Sequence, residues 1–202
     1  NKLNRLIKTL FDTTEKDLLL YTPYFNFPAP LLRSLRRLLK QGKEITIVVG
    51  DKTANDFYIP PDQPFSKIGA LPYLYETILF KFLKSNRKYI QTGLLKVHLW
   101  KHQSNSFHLK GVSKDGKMHL LSGHNLNPRA WGLDIENGIL IEDKNSVLSE
   151  ILDKEKQGIL EHCKLLTSHE DLEPAIEYPQ PVRKLLGQAK RVKVDFIIKR
   201  FI

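Results

Sequence analysis

The sequence predicts an α/β fold: a mixed β-sheet flanked by helices, continued at its C-terminal end by a basic helical extension. Three observations lead there. Strand-like apolar runs are separated by segments of helical periodicity in a strand–helix–strand order. Two later strand-like runs flank an Asp-Gly dipeptide, the strongest short hairpin signal. Past residue 168 the composition turns to charge and proline, so we divide the chain into a body, residues 1–168, and an extension, residues 169–202.

In order along the chain, Leu3, Leu6, Ile7 and Leu10 fall at helical spacing, and residues 17–21 form a short strand stopped by Pro23. Leu31, Leu32, Leu35, Leu38 and Leu39 make the apolar face of a helix whose outer side carries Arg33, Arg36, Arg37 and Lys40. Residues 44–49 are the clearest strand, and the helix between two strands implies the crossover of a parallel pair. Asp51, Asn55, Asp56, Pro60, Pro61, Asp62 and Pro64 predict a long irregular loop, which in a compact domain serves function as a lid or a substrate-facing segment. A helix over residues 68–88 follows, then strands over 94–101, 107–113 and 117–121, the last two joined by a tight turn at Asp115-Gly116. One more strand over 136–142 and a helix over 146–166 complete the body.

With 202 residues, 41% of them hydrophobic, the body buries one sizeable core. The 32 Lys and Arg against 22 Asp and Glu give a net charge of +10, which favours anionic partners: nucleic acid, anionic lipid or phosphorylated small molecules. Cys163 is the single cysteine, so no intrachain disulfide forms and a reducing compartment is the simpler reading. No apolar run reaches bilayer-spanning length, and the first ten residues carry no signal-peptide core; an Asn start is expected of an excised piece.

The chemistry centres on His108 and Lys110. Two residues apart on a strand, their side chains leave the same face, which puts an imidazole and an ammonium in one pocket. Asp115 follows, then the small pair Ser122-Gly123, then Asn125 and Asn127, giving His-x-Lys-x4-Asp, a small pair and Asn-x-Asn. Asp115 is also what an Asp-Gly turn needs, and Asn127 before Pro128 also suits a helix cap. His119 and His124 occupy no motif position, and Trp131 reads as core.

This pattern resembles the signature of the phospholipase D superfamily, with Glu136 in the place of that family's downstream acid. The family's small pair is usually Gly then Ser; here it is Ser122 then Gly123, which removes a serine hydroxyl from the second position. The resemblance implies that Lys110 and Asn125 hold the nonbridging oxygens of a phosphodiester and that Glu136 orients an active-site histidine. Asp115, Asn127, Ser122 and Gly123 are implied as structural support, and neither metal nor other cofactor is required. In-line displacement needs a nucleophile and a proton donor on opposite sides of phosphorus, so one His-x-Lys does not suffice. His162-Cys163-Lys164 is no second copy, because on the expected helix those side chains diverge and no Asp or Asn-x-Asn follows in register. The second motif is expected from an N-terminal half absent from this sequence or from a second identical chain, and the Asn start favours the former.

Within the superfamily, residues 107–111, 122–136 and 181–186 resemble the Gram-negative family that forms phosphatidylserine. That resemblance implies phosphatidyl transfer from CDP-diacylglycerol to L-serine through a phosphatidyl-histidine, with His108 as acid and then base. A phospholipase D-type nuclease or a cardiolipin synthase-like transferase is the alternative, and nucleic acid is a partner only under the nuclease reading. In the extension, Val182, Leu185, Leu186, Ala189, Val192 and Phe196 form an apolar stripe flanked by Arg183, Lys184, Lys190, Arg191 and Lys193. Such a helix suits an anionic membrane surface, which predicts a cytoplasmic protein held peripherally on the inner membrane.

Overall fold

The computed structural model describes residues 2–60 and 62–191, Lys190 by its backbone alone. Seven strands form one mixed sheet: β1 (Asp17–Thr22), β2 (Glu44–Gly50), β3 (Leu95–Trp100), β4 (Gly111–Lys114), β5 (Met118–Ser122), β6 (Gly138–Glu142) and β7 (Cys163–Leu166). Their order is β6-β5-β4-β1-β2-β3-β7. The β1–β2 and β2–β3 pairs are parallel and all others antiparallel, so the expected crossover and the expected hairpin are both present. At the hairpin, Asp115 and Gly116 have φ of 55° and 63°, the two positive values that a type I′ connection needs.

One face of the sheet is sealed by α1 (Lys2–Asp12), α2 (Ala29–Lys40) and α3 (Leu71–Ser85). Leu31, Leu35, Leu38 and Leu39 of α2 meet Leu20, Ile45 and Ile47 in the main core, and each such side chain contributes about 1.5–3 kcal/mol on burial. The opposite face is covered in part, where Ile159 and Leu160 of α6 (Ser149–Leu160) pack with Val48, Trp100 and Phe107.

Three expectations are corrected. The helix over 68–88 is a 3-10 turn, Lys67–Ala70, followed by α3 and then α4 (Arg87–Gln91), because the Asn86 amide hydrogen-bonds the Phe82 carbonyl and ends α3. The helix over 146–166 is α6 plus strand β7, since β3 would otherwise leave an open edge and pairing there buries Leu166. The strand over 107–113 begins only at Gly111, so His108 and Lys110 sit in the irregular segment leading into β4. Phe107, whose amide bonds the Ala54 carbonyl, ties that segment to the 51–60 loop in place of a strand partner.

The extension folds back onto the body. In α7 (Gln180–Arg191), Val182 is buried against Tyr73 and Tyr178, with Leu185 and Leu186 packed beside them. The apolar stripe expected to face a membrane is thus spent, over this stretch, on the protein itself, while Arg183, Lys184 and Arg191 are exposed. The Lys190 side chain, Val192, Lys193 and Phe196 lie outside the described residues. No helix among the described residues is long and apolar enough to cross a membrane.

Candidate active site

One edge of the sheet collects the chemistry. The register aligns Tyr21 with Val48 and Gly111, Gly111 with Leu121, and Ser122 with Gly138. The carboxyl ends of β1, β2 and β5 therefore open beside the start of β4, and loops leaving such ends are where α/β sheets bind ligands. Tyr24 comes from the first of these loops, Asp56 from the second, His108 and Lys110 from the approach to β4, and residues 122–127 from the last.

His108 lies between a cation and an anion. Its Nδ1 is 3.0 Å from Lys110 Nζ, which also donates to the His108 carbonyl at 2.9 Å. Its Nε2 is 3.3 Å from Asp56 Oδ2, which accepts a hydrogen bond from Tyr24 Oη at 2.7 Å. An ammonium donates only, so Nδ1 acts as the acceptor and the imidazole hydrogen sits on Nε2, facing Asp56. Burial lowers the pKa of Lys110, opposed by the charges of Asp56 and Glu136. Burial and the bond to Asp56 raise that of Tyr24, whose ring stacks on Tyr75 at 5.2 Å. The His108 side chain is 61% exposed, open to an incoming group.

The loop after β5 is built by its own side chains. Ser122 Oγ donates to the Asn137 carbonyl at 2.6 Å and accepts from the His124 amide at 3.1 Å, which commits the hydroxyl to the backbone. Gly123 allows Glu136 to approach, because a β-carbon there would collide with the Glu136 carboxylate. His124 is 1% exposed; its Nδ1 accepts from the Leu126 amide at 3.0 Å and its Nε2 meets Asn4 Oδ1 at 3.2 Å. Between those anchors, the Asn125 carbonyl accepts from Thr22 Oγ1 at 2.7 Å, while its side-chain Oδ1 is buried without a hydrogen-bond partner among the described residues. Asn127 accepts from the Ala130 amide at 2.9 Å and caps α5 (Pro128–Gly132).

Asp115 sits at the opposite edge, beyond the Leu18–Lys114 pair. Its carboxylate accepts from the amides of Glu15, Lys16 and Asp17, with the Lys16 contact at 2.7 Å. Burial alone would raise its pKa, but these backbone bonds outweigh burial and lower it. The expected second site falls apart for a reason other than helical geometry: Lys164 is on β7 and donates to the Asp171 carbonyl at 3.0 Å, while His162 stacks on His102 at 4.0 Å. No group of three or more His, Cys, Asp or Glu arranged to hold a metal ion is found among the described residues.

Sequence reasoning missed Asp56 and Tyr24 as members of the site and set His124 aside as a bystander. Asp56 did fall in the loop singled out for its irregularity. Nothing in the sequence links that loop to His108.

Residues 7–159 match the family model described as cardiolipin synthase, PLD-like domain, and the chain belongs to this family. The chain is 48% identical over 202 residues to the CDP-diacylglycerol--serine O-phosphatidyltransferase of Haemophilus influenzae, covering 100% of this chain and 44% of that protein. It is also 48% identical over 200 residues to PssA of Escherichia coli, which bears the same name, covering 99% of this chain and 44% of the relative. It thus spans under half the length of the curated relatives it matches. The crystal structure of phosphatidylserine synthase from Haemophilus influenzae superposes with a TM-score of 0.97 at 48% identity, over 100% of this chain and 45% of that one. Nuc, a phospholipase D family member from Salmonella typhimurium, shares the fold at a TM-score of 0.55 and 13% identity, over 81% of this chain and 90% of its own.

Proposed function

We propose that this chain is one catalytic half of a CDP-diacylglycerol–serine O-phosphatidyltransferase, which moves the phosphatidyl group of CDP-diacylglycerol to L-serine and releases CMP. The observation that carries this reading is the His108–Lys110 pair, with Lys110 Nζ 3.0 Å from His108 Nδ1. The relatives at 48% identity support the choice of substrates.

A second His-x-Lys unit, outside residues 1–202, supplies the nucleophile, and His108 acts on the opposite side of phosphorus. In the first step the nucleophilic imidazole forms a P–N bond as the P–O bond to CMP breaks. The departing CMP oxygen takes the Nε2 hydrogen of His108, and Lys110, its ammonium weakened by burial, passes a proton to Nδ1. In the second step the serine hydroxyl bonds to phosphorus as the P–N bond breaks. Its proton goes to Nε2, and the Nδ1 proton returns to Lys110. The third N–H of Lys110 and the Asn125 amide hold the nonbridging oxygens. Glu136, packed on Gly123 and acting on Lys110 by its charge, keeps that amine in place. We place the enzyme at the cytoplasmic face of the inner membrane, held there by the exposed basic residues of α7.

The test is CMP release from CDP-diacylglycerol by the intact protein. Release that depends on serine and falls by about 10²–10⁴-fold in His108→Ala is expected of a general acid–base residue. Undiminished release in that variant removes His108 from the chemistry, and hydrolysis of DNA in place of serine-dependent CMP release moves the assignment to a nuclease.

A further inference from the structure

A carboxylate beside the reacting histidine is an odd neighbour for a site that must admit a phosphodiester. Asp56 Oδ2 lies 3.3 Å from His108 Nε2, where the donor's anionic groups would be repelled. The other acids nearby are already engaged. Lys52 neutralises Glu76 at 2.8 Å and Glu173 at 2.6 Å, and Glu136 acts on Lys110. Asp56 has no ion-pair partner among the described residues except His108 itself, and its side chain is 39% exposed. Oδ2 is fixed by the Tyr24 hydroxyl, whereas Oδ1 accepts no hydrogen bond from the described residues.

We propose that Asp56, braced by Tyr24, is the subsite that receives the ammonium group of the acceptor amino alcohol. The proposal rests on the serine-transfer reading and supplies the element that reading lacks, a reason for an amine-bearing acceptor over glycerol or water. A cation arriving at Asp56 cancels the repulsion toward the phosphoryl group. In the gauche rotamer a 1,2-amino alcohol holds its amine and hydroxyl close enough to reach two neighbouring groups at once, and the Asp56 carboxylate is such a neighbour of His108, its Oδ2 lying 3.3 Å from Nε2. An ammonium seated on Oδ1 therefore brings the hydroxyl to the nitrogen that takes its proton. Selection arises because an acceptor without the charge leaves the Asp56 carboxylate with no counter-ion beside the phosphoryl group.

The experiment measures how the intact protein partitions the phosphatidyl group of CDP-diacylglycerol, presented in detergent micelles, among L-serine, ethanolamine, glycerol and water. For Asp56→Asn we expect the KM for serine and for ethanolamine to rise about tenfold or more, and the ratio of serine product to hydrolysis product to fall by a similar factor. Asp56→Glu should restore part of that ratio. Tyr24→Phe, which keeps the charge and removes its brace, should shift the ratio in the same direction by less. Equal losses toward all four acceptors would show that Asp56 acts through His108, and an unchanged KM for both amines would show that it does not meet the acceptor; either overturns the assignment alone. Absence of CMP release by the wild-type protein with every acceptor overturns the transfer reading and this assignment with it.

Discussion

His124 is the residue on which the loop carrying Asn125 hangs. Burial holds its pKa down to about 4, against an ordinary 6.5, the charge of Asp134 opposing the shift. A protonated ring cannot accept the Leu126 amide, so charging the imidazole breaks the loop's own hydrogen bond. The folded-state pKa lies below the unfolded one, so the unfolded chain binds more protons between the two values. Stability is therefore fully present above pH 6.5 and is lost as pH falls toward 4, by roughly 3 kcal/mol in all. Urea unfolding followed from pH 7 to pH 4 measures that slope, and His124→Gln should flatten it while costing stability at pH 7. Asp115 has the same sign at lower pH, since its depressed carboxyl loses its contribution only as acidity overcomes the three backbone amides. At this scale the motif was legible in part: turn chemistry is a local rule and holds for Asp115, whereas the alternation expected of His108 and Lys110 does not apply, since both precede β4, and their contact rests on the two-residue spacing alone.

The elements around the site are joined by one buried cation. Lys52, just after β2, reaches Glu76 on α3 and Glu173 in the segment leading to α7. Burial works against its charge, but the hydrogen bonds to Glu173 and Glu76 prevail and its pKa is raised. Lys52→Met should destabilise the protein by about 3–5 kcal/mol, because Glu76, 6% exposed at its side chain and with its pKa already raised by burial, is left without its counter-ion. Replacing Lys52 and Glu76 together by apolar residues should cost less than the single change, a difference that a double-mutant cycle in urea reads directly. Element boundaries were harder to read than element existence. The run 163–166 has helical neighbours and an apolar content that suits either state, and the free edge of β3 decided for a strand.

Over the whole molecule the net charge of +10 is an attractive field for anionic surfaces, and α7 shows Arg183, Lys184 and Arg191 to solvent. Because Val182, Leu185 and Leu186 pack inward, this part of α7 offers charge to a membrane more than apolar area. Binding to vesicles containing anionic lipid should therefore fall steeply as salt is raised and be weak on neutral lipid, as read by co-sedimentation. Neutralising Arg183, Lys184 and Arg191 to Gln should weaken it by roughly a hundredfold, at about 1 kcal/mol for each charge. Salt-insensitive binding would instead point to insertion by residues outside those described.

The sequence by itself determined what covalent geometry controls: the order of strands and helices through β2, the type I′ turn at Asp115-Gly116, and the spacing that lets Lys110 reach His108. Tertiary structure alone decided that Asp56 and Tyr24 stand at His108, that His124 anchors the Asn125 loop, and that β7 extends the sheet beyond β3. Apart from the local bond between His124 and the Leu126 amide, those contacts join residues whose separation along the chain carries no period. They form because parallel and antiparallel pairing together bring the carboxyl ends of β1, β2 and β5 beside the start of β4 and set β7 against β3, and no local rule encodes which side chains meet there.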